Sequence, residues 1–144
     1  MTLLRYAPII LWTGVIFYLS SDNGSLTETS RFVGPLLRFL FPTAPEETIQ
    51  AYHAVVRKSA HFFEYAVLAL LVFRAMIPTY PASRLRFLIP VAAAALVAVV
   101  DELNQSFEAS RTGSPWDVAL DISGAVTMVI VLAVVTRMWR RKSH

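Results

Sequence analysis

Residues 86–105 read RFLIPVAAAALVAVVDELNQ, and this stretch decides the fold. Between Arg86 and Asp101 no side chain is charged, and Ala, Val, Leu and Ile fill most positions. The run lacks the alternation of apolar and polar residues that marks a half-buried strand, and it has about the 20 residues that a helix needs to cross a bilayer. We therefore expect a transmembrane helix that ends on the acidic pair Asp101 and Glu102.

Three further stretches have the same character, at 3–21, 59–77 and 117–137. The chain has 144 residues, of which 56% are hydrophobic and only 16% charged, against about 25% charged in a typical soluble domain. Such a small chain cannot cover a water-exposed surface with so few polar groups. The sequence predicts an all-α, polytopic membrane protein with four transmembrane helices and one domain over 1–144. It excludes a soluble nucleic-acid binder, despite the pI near 9.6.

Basic residues favour an N-in, C-in orientation, with both termini on the cytoplasmic side of the membrane. With the N-terminus inside, the cytoplasmic side carries 8 of the 13 Lys and Arg residues and the outer side carries 5, as the positive-inside rule prefers. All 10 Asp and Glu residues then fall on the outer side or in the outer half of a span. We expect a polar site that faces the outside or the periplasm.

The first outer loop has its own helical signals. The apolar segment 31–41 contains two arginines and is too short to span a bilayer, so we expect a short interfacial helix there. Thr43 and Glu46 have the spacing of a capping box, with Pro45 near the first helical position. A helix is expected to start near Pro45 and to continue unbroken into the second span.

Polar residues inside the spans fall into three clusters, and charges there cost about 2.5–3.5 kcal/mol each at mid-helix. The N-in topology brings all three to one depth, near the outer interface. Each cluster lies on one face of its helix, at spacings of three or four residues. Their members are Arg57, His61 and Glu64, with Lys58 and Tyr65 beside them; Asp101 and Gln105, with Glu102 beside them; and Asp117, Asp121 and Gly124. At Gly124 another backbone is expected to approach closely.

These blocks, in this order, resemble the VanZ-like family. The residues that carry the resemblance are Ser20, Ser21, Arg57, Lys58, His61, Glu64, Tyr65, Asp101, Glu102, Gln105, Arg111, Asp117, Asp121 and Gly124. Two positions depart from it: Asp121 stands where relatives often have Asn, and the Asp101–Gln105 block lacks a His that relatives often carry. The resemblance implies a multi-pass protein of the bacterial cell envelope, in the cytoplasmic (inner) membrane. The family takes its name from a membrane protein associated with resistance to the glycopeptide teicoplanin, and the resemblance implies no fixed reaction.

The residue types in the clusters suit three kinds of chemistry. His61, Glu64, Asp101 and Asp117 are candidate catalytic groups, with His61 as base and Glu64 orienting it. A divalent cation would take oxygen ligands from Asp101, Glu102, Asp117 and Asp121. Arg side chains can bind a phosphate or a carboxylate through two parallel hydrogen bonds. The candidate ligand-binding residues are Arg57, Lys58, Tyr65, Gln105 and Arg111.

The sequence leaves several functions open. The first possibility is a protein that binds or shields a lipid-linked envelope precursor or the glycopeptide itself. The second is a hydrolase or transferase that acts on a lipid-linked phosphate, and the third is a small ion-coupled carrier. A purely structural network of ion pairs is the simplest alternative, although buried ion pairs are a costly way to stabilise a bundle. Membrane lipids are expected partners in every case. Outside the clusters, Trp12 is expected to anchor at the membrane interface and His53 to be solvated.

Overall fold

The computed structural model describes residues 2–21, 26–107 and 114–142, and these ranges contain helices and no strand. The bounds of the helices are α1 Thr2–Ser20, α2 Leu26–Leu40, α3 Glu46–Met76, α4 Leu85–Ser106 and α5 Pro115–Lys142. By length and composition, α1, α3, α4 and α5 can each cross a membrane. The predicted all-α class with four transmembrane helices is confirmed, and the chain is a multi-pass membrane protein.

Helix α3 is much longer than a bilayer requires. Its 31 residues extend over about 46 Å at 1.5 Å per residue, against about 30 Å of hydrocarbon. The expected unbroken helix from near Pro45 into the second span is confirmed. The expected capping box is wrong, because Pro45 occupies the N-cap and no side chain caps the helix. Two acids in the first turn, Glu46 and Glu47, stabilise the start of the helix instead, by interacting favourably with the helix dipole.

Helix α2 is a separate short helix that packs on the first turns of α3. Its 15 residues extend over about 22 Å, too short to span. Arg38 Nη2 donates to Glu46 Oε1 at 2.9 Å, and the Phe41 and Tyr52 rings lie 5.0 Å apart. A short helix in this loop is thus confirmed, and its interfacial position stays a prediction.

Contacts along α1 fix the relative directions of the helices. Arg5 near the start of α1 donates to Thr79 Oγ1, just beyond the end of α3, at 2.9 Å. Ser20, the last residue of α1, donates to Asp101 near the end of α4 at 2.8 Å. Helix α1 therefore runs antiparallel to α3 and ends beside the end of α4, so the polar clusters meet at one end of the bundle.

The remainder of the bundle interior is an apolar core built largely from small residues. Small side chains let helices approach closely within a membrane. The apolar core comprises Ile16, Tyr65, Leu68, Ala69, Val72, Ala75, Met76, Ala94, Ala98 and Ala125. At Gly124 a Cβ would collide with the backbone carbonyl of Phe62, so α5 touches the α3 backbone there. The close approach expected at Gly124 is confirmed.

Two residues expected at the surface are engaged in packing. Trp12 lies in the middle of α1, and its indole N–H donates to the backbone carbonyl of Glu64 at 2.9 Å. It joins α1 to α3, so its expected role as an interface anchor is wrong. His53 is buried between α2 and α3 because α2 covers it, which corrects the expectation that it is solvated.

Candidate functional site

Asp101 is the residue at which three helices meet. It is only 2% exposed. Its Oδ2 accepts hydrogen bonds from Ser20 Oγ at 2.8 Å and from Gln105 Nε2 at 3.0 Å, with the Tyr65 hydroxyl at 3.5 Å. Donors from α1, α3 and α4 thus fix the carboxylate in one orientation. Ser20 is not among the candidate site residues predicted from the sequence. The signals for it are its place in the resemblance to the VanZ-like family and its position as a polar residue at the end of an apolar helix.

Asp121 and His61 face each other across α5 and α3. Asp121 is 3% exposed, and its Oδ1 lies 3.7 Å from His61 Nδ1 without accepting a hydrogen bond. His61, Asp101 and Asp121 each offer one ligand atom, and these atoms all lie within 4.8 Å of one another. We call Ser20, His61, Asp101, Gln105 and Asp121 the polar cluster.

The carboxylate beside His61 is Asp121, not Glu64. Glu64 is half-buried on α3, and its Oε2 has no hydrogen-bond partner among the described residues. A buried carboxylate oxygen without a donor is costly. The polar cluster and Glu64 together therefore hold more buried acceptors than the surrounding donors satisfy.

Two of the expected metal-binding acids are engaged elsewhere. Asp117 Oδ1 pairs with Lys58 Nζ at 3.1 Å at the edge of the site, where both side chains are partly exposed. Glu102 Oε1 accepts a hydrogen bond from the backbone N–H of Ser114, just before α5. The structure therefore gathers Asp101 and Asp121 with His61, rather than four carboxylates. Arg111 lies outside the described residues.

Two cavities adjoin the site, and Arg57 and Lys58 line both. The smaller measures about 10 Å³, room for about one water or ion. The larger, of about 610 Å³, lies between α2 and α3. Lining the smaller cavity are Arg57, Lys58, His61, Glu102, Gln105, Asp117, Leu120 and Asp121. Lining the larger are Gly34, Pro35, Arg38, Glu46, Ile49, Gln50, His53, Ala54, Arg57 and Lys58.

The sequence matches the model of one protein family, described as VanZ/LLP1, over residues 6–136 of 144. The chain belongs to the VanZ/LLP1 family. The matched range includes every residue of the polar cluster, and the resemblance to VanZ-like proteins is confirmed. Neither a curated protein nor a solved structure matches the chain. Membership in VanZ/LLP1 thus fixes the class of membrane protein, and the chemistry of the site has to be argued from its residues.

Proposed function

We propose that this VanZ/LLP1 protein binds an anionic, lipid-linked ligand of the bacterial envelope at the polar end of its bundle. The observation that carries the proposal is the position of Arg57. This half-buried guanidinium lines both cavities. Among the described residues, no carboxylate lies within 4.0 Å of it, whereas Arg38 and Lys58 each have an acidic partner. An arginine held between two cavities without an acidic partner is suited to bind an anion.

The charge and size of the larger cavity support a phosphate-containing headgroup. Three cationic residues line it, Arg38, Arg57 and Lys58, against one acid, Glu46. Arginine binds phosphate oxygens in bidentate fashion. A volume of about 610 Å³ lies within the usual range of about 300–1,000 Å³ for small-molecule sites. The cavity therefore accommodates a phosphate together with an attached polar group.

The apolar outer surface of the bundle favours a ligand that carries a lipid tail. Large apolar side chains close in sequence to cavity-lining residues are exposed, among them Phe39 and Leu40 at the end of α2 and Val55 on α3. In a bilayer such side chains face acyl chains rather than water. A headgroup in the cavity would thus leave its tail beside this apolar surface.

The orientation of the site links binding to glycopeptide resistance. The distribution of Lys and Arg favours a polar end that faces away from the cytoplasm, in the cytoplasmic membrane of a bacterium. Lipid-linked envelope precursors are exposed on that side, and a protein that binds or shields them there would reduce the action of a teicoplanin-class antibiotic. The resistance function rests on the family's name as well as on the site.

Binding can be tested with undecaprenyl phosphate on the purified protein in detergent. We expect native mass spectrometry to show a retained undecaprenyl phosphate, and no retention of undecaprenol, which lacks the phosphate. Arg57→Gln should weaken binding by at least about tenfold, the effect of losing one charge-assisted contact of about 1.4 kcal/mol or more. Arg74→Gln is the matched control, since Arg74 is exposed at the other end of α3. Equal binding by wild type and Arg57→Gln would refute the proposal.

Resistance is tested separately in a teicoplanin-susceptible bacterium. Expression of the wild type should raise the inhibitory concentration, Arg57→Gln should not, and Arg74→Gln should act like the wild type at equal membrane abundance. A wild type that binds undecaprenyl phosphate but gives no protection would leave the binding function and reject the resistance function.

A hydrolase or transferase is the second candidate, favoured by the pairing of His61 with Asp121 next to a cavity. A histidine beside a buried carboxylate is an arrangement suited to a general base. Release of inorganic phosphate from undecaprenyl diphosphate, lost in His61→Gln, would support it, and binding without turnover would reject it. An ion-coupled carrier receives no such support, because the apolar core fills the described interior beyond the polar cluster.

A further inference from the structure

The polar cluster contains three side chains whose ligand atoms could hold a metal ion together. We infer that His61, Asp101 and Asp121 bind one transition-metal ion, of the Zn²⁺ or Mn²⁺ type, between α3, α4 and α5. The inference goes beyond the anionic-ligand site at Arg57, since the ion would be held by the protein's own residues whether or not a ligand is bound.

The geometry of the three side chains is the first argument. The ligand atoms of His61, Asp101 and Asp121 lie within 4.8 Å of one another. Around a tetrahedral ion with bonds of about 2.0–2.2 Å, neighbouring ligand atoms lie about 3.3–3.6 Å apart. The 3.7 Å between His61 Nδ1 and Asp121 Oδ1 is close to that separation. Binding requires the widest separation, which is within 4.8 Å, to contract by up to about 1.5 Å.

An unsatisfied atom is the second, independent argument. Asp121 is 97% buried, as its exposure of 3% shows, and its Oδ1 points to the cluster without accepting a hydrogen bond. No Lys or Arg of the described ranges lies within 4.0 Å of this carboxylate. A buried charge needs a partner of opposite charge, and a cation bound between Asp121 and its neighbours supplies one.

The surroundings of Asp101 are those of a metal-binding carboxylate. Such ligands are usually held by hydrogen bonds from outer residues, which set their orientation. Ser20 and Gln105 both donate to Asp101 Oδ2. The same three-helix arrangement that orients Asp101 would therefore orient it towards an ion.

The donor set indicates the class of metal. One imidazole nitrogen with two carboxylates suits Zn²⁺, Mn²⁺ or Fe²⁺, whereas Mg²⁺ and Ca²⁺ prefer oxygen ligands alone. Three protein ligands leave at least one coordination position for water or for an oxygen of a bound ligand. The small cavity of about 10 Å³, lined by His61 and Asp121, has room for about one such atom.

The test measures metal binding directly on the full chain in detergent. After EDTA treatment, the protein is titrated with Co²⁺ while the visible absorption is recorded, and Zn²⁺ and Mn²⁺ contents are measured by mass spectrometry. We expect about one equivalent of ion in the wild type, with Asp121→Asn and His61→Gln at least tenfold weaker. Ser20→Ala should weaken binding by about 10–100-fold through the loss of an orienting hydrogen bond.

Glu47→Gln is the control, since Glu47 is an exposed acid in the first turn of α3 that lines neither cavity. It should bind the ion as the wild type does. No stoichiometric Co²⁺, Zn²⁺ or Mn²⁺ in the wild type overturns the inference, as does an equal loss in Glu47→Gln. The wild-type Co²⁺ spectrum keeps the test decisive even if a variant fails to fold.

The same preparation separates this site from the anionic-ligand site. Undecaprenyl phosphate retained by a protein that binds none of these ions rejects the metal site alone. A bound ion without retention of undecaprenyl phosphate supports the metal site and rejects the ligand.

Discussion

The apolar core and the polar cluster lie in the same bundle and are buried to a similar degree, yet they are held together differently. In the apolar core, small side chains such as Ala69 and Ala98 let the helices pack without leaving polar atoms unsatisfied. In the polar cluster, Asp121 keeps a buried oxygen that accepts no hydrogen bond. Packing alone accounts for the stability of the apolar core. In the polar cluster, the unsatisfied oxygen of Asp121 lowers the stability of the bundle. The proposed metal ion would offset this cost by supplying a partner for the Asp121 carboxylate.

The largest effect on stability is expected from the apolar core. Leu68→Ala should lower the free energy of unfolding by about 2–5 kcal/mol, the usual cost of a cavity in a packed interior. Unfolding in mixed detergent micelles measures it, with Leu96→Ala, a lipid-exposed site on α4, as the control. If the comparison holds, the folded fraction of Leu68→Ala binds metal as the wild type does. A loss of metal affinity in that fraction would contradict the separation of the two regions.

A backbone contact should come next in size. Gly124→Ala places a Cβ against the carbonyl of Phe62, and such overpacking costs about 1–3 kcal/mol. Gly14→Ala is the matched control, because a Cβ at Gly14 meets nothing within 4 Å. Thermal unfolding in one detergent measures both. Equal melting temperatures would show that α3 and α5 do not touch as described.

Ser20 tests the polar cluster with a smaller change. Ser20→Ala removes one hydrogen bond to Asp101 and should cost about 1 kcal/mol of stability, while metal affinity falls far more. Ser21→Ala is the control, since the Ser21 hydroxyl donates to the Tyr18 carbonyl of its own helix. A Ser20→Ala protein that loses stability but keeps its metal affinity would show that the bond from Ser20 stabilises the bundle without orienting a metal ligand.

The smallest effect is expected outside both regions. The exposed pair of Arg38 and Glu46 joins α2 to α3 and should contribute less than about 1 kcal/mol. A double-mutant cycle with Arg38→Gln and Glu46→Gln measures the coupling. A value well above that range would mean that α2 is a firmly attached part of the bundle.

The spans and the convergence of the polar residues could be predicted from the sequence, because both follow from periodicity and topology. Which of the acidic side chains face the interior of the bundle could not be predicted. Asp101 and Glu102 are adjacent, and only the rotation of α4 against its neighbours turns Asp101 inward and leaves Glu102 to bond Ser114. The packing of Trp12 on α3 has no signal in the sequence, because α1 is apolar on all sides and no pattern marks its buried face. His53 depended on where α2 packs, which no local signal encodes.

The hydrogen bond from the Trp12 indole to the Glu64 carbonyl also makes Trp12 an intrinsic fluorescence probe of the contact between α1 and α3. The chain has three tryptophans, and the other two, Trp116 and Trp139, are exposed. Replacing those two with Phe would leave Trp12 as the sole indole emitter, held to α3 three residues beyond His61. Its emission wavelength would then report any shift of α1 against α3, without an attached dye.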